Sequence, residues 1–168
     1  MSFVLRLARA TEVSRLQEIE RDADSRFAAE LGLPSGVIPE EPARRFIEQG
    51  RITVAESEGE VVGWVLLTAI DGEPCIGQLS VAVAHGRRGI GAALLMHALE
   101  LARAGGASSV VLNTEREVSW NAPWYARFGF EIVPEPAWSP ALRAVTDQQR
   151  AAGLDWTRRV HMRKHFAT

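Results

Sequence analysis

Cysteine is almost absent from this sequence: Cys75 is the only one in 168 residues. An intramolecular disulfide is therefore impossible, and a cysteine-rich zinc site is excluded. Lysine is as scarce, with Lys164 alone beside 18 arginines. A Walker-type phosphate loop, which needs Gly-Lys-Ser/Thr, cannot be built. Neither sign of charge is in surplus, and a net charge of −2 lacks the basic excess of a general nucleic-acid binder. Long apolar runs are missing as well. The opening MSFVLRLARATEV meets Arg6 too early for a signal peptide or a membrane span. The expectation is a cytoplasmic protein that engages neither nucleic acid nor membrane.

What is present reads as one mixed domain over residues 1–168. Hydrophobic residues at 46 % and charged residues at 24 % exclude a disordered chain, and a chain of this length buries about 70 % of its unfolded surface without staples. Phe3–Leu7 alternates as a strand. Thr11 is placed as the N-cap of a helix carrying Val13, Leu16 and Ile19, extended or restarted over Asp24–Leu31 and broken by Gly32–Pro39. Glu41–Gln49 is a short helix closed by Gly50. Arg51–Glu56 and Val61–Ile70 make a hairpin around Gly59, and Ile76–Val83 follows the Asp71-Gly72 turn as a further strand. A helix runs to Ala104, then a buried strand over Ser108–Asn113, a helix over Asn121–Phe128 and a strand over Phe130–Val133. Three prolines in Pro134–Pro140 mark an inserted linker, followed by a helix over Ala141–Ala152; the insert spans about 134–158. Arg159–Phe166 closes the chain as a strand burying Val160, Met162 and Phe166, with its basic face to solvent. The order β-α-α-β-β-β-α-β-α-β-α-β predicts an α/β mixed sheet.

The most informative stretch is LSVAVAHGRRGIGAALL, Leu79–Leu95. A strand enters a loop holding Gly86, Gly89 and Gly91, and the loop enters an amphipathic helix. A helix start offers free N–H groups and the positive end of a dipole, which suits phosphate, and glycine lets backbone approach an oxygen closely. The dinucleotide pattern G-x-G-x-x-G fails, because Leu94 occupies its third glycine position. A structural turn that happens to be rich in glycine remains the plain alternative.

Two motifs decide between these readings. Gly86-Arg87-Arg88-Gly89-Ile90-Gly91 resembles the Q/R-x-x-G-x-G/A pyrophosphate loop of the GNAT superfamily of acyl-CoA N-acyltransferases, with Gly86 in place of the first residue. Asn121-Ala122-Pro123-Trp124-Tyr125-Ala126-Arg127-Phe128-Gly129-Phe130 resembles that family's N-x-x-x-Y-x-x-x-G-F segment. The likeness is strongest over Cys75–Val133 and weak beyond Pro134.

The resemblance implies a GNAT-like fold: a central, mostly antiparallel sheet with a splayed parallel strand pair and helices on both faces. It implies acetyl-CoA as cosubstrate and no metal. The amides of Arg87, Arg88, Gly89, Gly91 and Ala92 would hold the pyrophosphate, backbone groups of Val81 and Val83 would pair with the pantetheine arm, and Asn121 would hydrogen-bond it. Tyr125 would protonate the leaving thiolate, a form of help typically worth about 10²–10⁴-fold. The implied activity is acetyl transfer to a primary amine of a small molecule, amino acid or peptide by direct attack in a ternary complex. A homodimer is among the assemblies the family permits. Many relatives carry a Glu as base where this chain has Gln78, so a second reading is a non-catalytic acyl-CoA sensor. Glu20, Asp24 and His85 are the other candidates for the base, each also readable as an ordinary surface charge.

Other features carry plain readings. Cys75 fits a small buried side chain better than an acyl carrier. His161 and His165 on one strand stand about 13 Å apart, too far to share an ion. Trp64 and Trp120 read as core or wall residues, and Trp138 and Trp156, beside the inserted helix, as a pocket rim.

Overall fold

The computed structural model describes residues 2–31 and 36–168. The first four residues of the expected break at Gly32–Pro39 therefore lie outside the described residues. Seven strands form one sheet in the order β1-β2-β3-β4-β5-β7-β6. The chain divides into two compact units, Met1–Leu67 with Gly77–Glu100 and Thr68–Ile76 with Leu101–Thr168.

The first unit contains β1 (Val4–Leu7), α1 (Val13–Leu31), α2 (Glu40–Glu48), β2 (Ile52–Ser57), most of β3 (Glu60–Ile70), the end of β4 (Glu73–Val81) and most of α3 (Ile90–Ala104). Asp24–Leu31 extends α1 without interruption. Thr11 is not its N-cap. The chain enters α1 through a 3₁₀ turn at Ala10–Glu12, where the Glu12 carboxylate accepts the Arg9 N–H at 2.8 Å and is gripped by Arg6 at 2.6 Å. A carboxylate both satisfies the free donor and favours the positive helix end, which a threonine hydroxyl does less well. Leu16, Ile19, Val54 and Trp64 are wholly buried, and the Trp64 indole N–H donates to the Leu16 carbonyl at 3.0 Å. Gly63 on β3 is a point of close approach: a Cβ there would meet the Ser80 carbonyl at 3.1 Å, Leu94 at 3.2 Å and Ile90 at 3.3 Å. Helix α3 can lie this near the sheet only because no side chain stands between them.

Strand β4 starts earlier than its alternation suggests. Asp71 and Gly72 form a two-residue turn with φ of +49° and +82°, which pairs Glu73 directly back onto β3. It also ends earlier, at Val81, because Val83–His85 turns into a 3₁₀ helix.

The second unit contains β5 (Ser109–Glu115), α4 (Ala122–Ala126), β6 (Glu131–Val133), α5 (Pro140–Ala151) and β7 (Arg159–His165). Strand β5 pairs in parallel with the start of β4 at Cys75↔Val111 and antiparallel with β7 from Ser109↔His165 to Glu115↔Arg159. The inserted helix is capped by Ser139, whose Oγ accepts the Leu142 N–H at 3.2 Å. Successive strand residues point to opposite faces. Thr114 bonds to Asn121 and Lys164 to the Phe128 carbonyl on one face, so α4 covers that side. His161 bonds to Thr146 on the other, so α5 covers that one.

This corrects the expectation of a solvent-facing basic side on β7. Val160 and Met162 are buried as the alternation requires, but His161 is 0 % exposed. Trp138 and Trp156 do not form a pocket rim: they pack on each other at 5.6 Å and on the His161 ring at 5.0 and 4.4 Å. Among the described residues no helix is long and apolar enough to cross a membrane.

Candidate active site

In the first unit the loop between β4 and α3 is built by backbone. Arg87 and Gly89 take φ of +60° and +80°, conformations that point successive amides to one side. For Gly89 this costs nothing, and a Cβ there would project into open space. For Arg87 it is a strained choice, of the kind that clusters at binding sites. Gly91 and Ala92 fall in the first turn of α3, where N–H groups have no carbonyl four residues back; the ladder begins with the Ala93 N–H to the Gly89 carbonyl at 3.0 Å. The Arg88 guanidinium is turned onto the body of the unit, 2.6 Å from His85 Nδ1 and 3.4 Å from Ser57 Oγ. Only its amide is left for the loop's concave side.

Val81 closes β4, as its expected role requires. Val83 falls outside β4, and its N–H donates to Asp22 Oδ2 of α1 at 2.7 Å. The contact spans 61 residues, and nothing in the local pattern announces it.

The acids of α1 have unusual proton affinities. Burial pushes the Glu20 carboxyl up to about 7, against an Ile38 N–H bond of 2.8 Å that holds it down, and neighbouring Asp24 raises it further. Burial likewise raises Asp24 to about 6. The two lie one helical turn apart on the same side of α1. Of the other base candidates, Gln78 donates to Ser80 Oγ at 2.8 Å, and His85 Nδ1 is engaged by Arg88. Glu20 and Asp24 are therefore the groups whose affinities best suit proton acceptance near neutral pH.

In the second unit, the site is built by side chains. Asn121 precedes the single short turn of α4, and Tyr125 sits one turn further on. Thr114 Oγ1 donates to Asn121 Oδ1 at 2.7 Å, which fixes the amide and leaves Nδ2 buried with no partner among the described residues. The Tyr125 ring is held edge-on by Trp124 at 5.0 Å and Phe130 at 5.8 Å. Burial raises its phenol well above the usual range, so the proton is retained at neutral pH and is available for donation. No hydrogen bond among the described residues engages that hydroxyl. Cys75 is buried, and burial pushes its thiol up to about 12, which removes it as a nucleophile at neutral pH.

A family model described as the acetyltransferase (GNAT) family matches residues 4–130. The fold is similar to that of the PaiA N-acetyltransferase from Thermoplasma acidophilum, solved with coenzyme A: TM-score 0.77, 16 % identity, 99 % of this chain and 100 % of that one. It is similar to N-acetylglutamate synthase from Neisseria gonorrhoeae, complexed with coenzyme A and N-acetyl-glutamate, at TM-score 0.76 and 17 % identity. That match covers 100 % of this chain but 36 % of the synthase. The ribosomal-protein-S18-alanine N-acetyltransferase from Escherichia coli gives TM-score 0.70 at 13 % identity, covering 99 % of this chain and 96 % of that one. At such identities the likeness speaks for the fold, and the acceptors of those proteins are their own.

Proposed function

The chain belongs to the GNAT acetyltransferase family, and from that premise we propose that it moves an acetyl group from acetyl-CoA to a primary amine of a small molecule, amino acid or peptide, by direct attack in a ternary complex. When bound, acetyl-CoA supplies an activated acyl thioester. The amides of Arg87, Arg88, Gly89, Gly91 and Ala92 hold its pyrophosphate, and the backbone of Val81 pairs with its pantetheine arm. Asn121 donates to the arm through Nδ2, and Tyr125 gives its proton to the departing sulfur. Glu20 and Asp24 accept the proton lost by the amine.

One observation carries this reading. Asn121 and Tyr125 stand one turn apart, the first with a buried amide donor and the second with a phenol hydroxyl that no hydrogen bond among the described residues engages. A purely structural helix start would leave neither in that condition, since a buried unsatisfied donor costs about 1–3 kcal/mol. The open space over Gly89 fits a phosphate in the same way.

Calorimetric titration with CoA, followed by a thiol-release assay across primary amines, tests the proposal. Binding at 1:1 with turnover of at least one amine is expected. Absence of heat at millimolar CoA overturns it, and binding without turnover of any amine assigns the chain to the acyl-CoA sensor reading instead.

A further inference from the structure

The C-terminal end of β5 carries different chemistry on its two faces. Thr114 faces α4 and bonds to Asn121. Asn113 and Glu115 face the other way, and the register sets His161 and Arg159 of β7 opposite them. The Arg159 side chain is 17 % exposed. Its Nη2 donates to Asn113 Oδ1 at 2.8 Å, its Nη1 lies 3.6 Å from Glu115 Oε1, and its Nε is buried with no partner among the described residues. Glu115 is shared with Arg158, whose Nη2 lies 3.5 Å away. Two guanidinium groups therefore face one carboxylate at lengths too long for good charge-assisted bonds. Arg158 also feels the Asp155 carboxylate, and burial lowers the proton affinity of Arg159. Trp156 lies against the guanidinium, 5.9 Å from ring centre to Cζ, which steadies its plane.

We propose that Arg159 is the anion subsite of the acceptor, holding a carboxylate of the amine that is acetylated, so that the acceptor class is amino acids. This rests on the acetyl-transfer reading and adds the substrate class to it. The fork of an arginine matches the two carboxylate oxygens, which a lysine cannot do. The position also fits. Asn113 and Glu115 flank Thr114 along β5, so the subsite and the Asn121–Tyr125 helix start meet the same strand end from opposite faces.

The experiment first confirms CoA binding by calorimetry, then measures thiol release with each common L-amino acid beside its α-carboxamide, its decarboxylated amine and a dipeptide carrying it at the N-terminus. For at least one amino acid, kcat/KM should exceed that of its amide at least tenfold. Preference for the free amino acid over the dipeptide assigns the α-carboxylate; the reverse overturns the amino-acid class. In Arg159→Gln the acid-to-amide preference should fall at least tenfold, through KM more than kcat, with CoA affinity within twofold of the parent. Arg159→Lys, which keeps the charge and loses the fork, should recover only part of it and serves if the glutamine variant does not melt cooperatively. Equal use of acids and amides, turnover only of amines without a carboxylate, or a preference that survives both substitutions would overturn the subsite, whereas CoA binding with no turnover of any amine would overturn the acetyl-transfer reading beneath it. Failure to bind CoA would overturn that reading too.

Discussion

The two compact units handle buried charge in opposite ways. The first buries acids: Glu20, pushed up to about 7, and Asp24, pushed up to about 6, both by loss of solvent. The second buries Glu115 as well, but the shift there falls on a base: burial brings His161 down to about 4, with Arg159 and Arg163 adding to the effect. Their contributions to stability therefore slope in opposite directions with pH. A carboxyl with a raised affinity favours the fold at low pH, and that support is lost as pH climbs from about 4.5 to 7, while the unfolded chain ionises first. A histidine with a lowered affinity favours the fold at high pH, and that support is lost as pH drops from about 6.5 to 4. The units differ equally in how the candidate segment of each is made. The β4–α3 loop is an arrangement of backbone, sensitive to where a Cβ intrudes. The α4 segment is an arrangement of side-chain atoms, sensitive to the loss of a single hydroxyl or amide.

The sharpest way to break this contrast is Tyr125→Phe. It keeps the packed ring and removes the proton, so kcat should drop by about 10²-fold or more with CoA affinity unchanged. Turnover that survives would mean the second unit contributes packing alone. Glu20→Gln comes next. It keeps an oxygen for the Ile38 N–H and removes the charge, so at pH 8 it should stabilise the protein by about 2 kcal/mol, with little effect at pH 4.5. Thermal melts at the two pH values check this, and equal shifts at both would sink it. Gly89→Val tests the backbone half of the site. A β-branched residue at a φ of +80° is strained and its Cβ enters the open space. CoA binding should weaken about tenfold, with the circular dichroism spectrum retained; unchanged affinity would remove the loop from the site. His161→Phe should have the smallest effect. Without a titrating ring, stability below pH 6 should rise by about 1 kcal/mol relative to the parent, and a parent-like acid slope would show that other groups carry it.

The order of the elements was legible because each has a strong period and a clear stop: glycine loops, two-residue turns, a proline-marked insert. Both motifs were legible for a similar reason, since each sits inside a single strand–loop–helix passage. What could not be read is contact across long sequence distances. Alternation along β7 separates two faces and says nothing about which is covered, so His161 looked exposed until Trp138 and Trp156 were seen to close over it. The same holds for Val83, whose amide is taken by Asp22, and for Arg159, one of three arginines and lysines on β7 until its unpartnered Nε marks it out. The 3₁₀ entry to α1 has a local cause that spacing does not show: Glu12 outcompetes Thr11 because Arg6, on the preceding strand, holds its carboxylate in place.

Gly63 belongs to neither motif, yet it works as a shim. The three atoms it would touch with even a methyl group include two side chains of the first turns of α3, Ile90 and Leu94. Those turns carry the amides of Gly91 and Ala92. The height of these donors above the sheet is thus set by a residue one layer below, inside the hydrophobic interior. Where those amides hold the cofactor, as proposed above, its affinity can drift, or be adjusted by selection, through the core, while every group that faces it stays the same. A survey of ligand-facing residues alone would never find that dial.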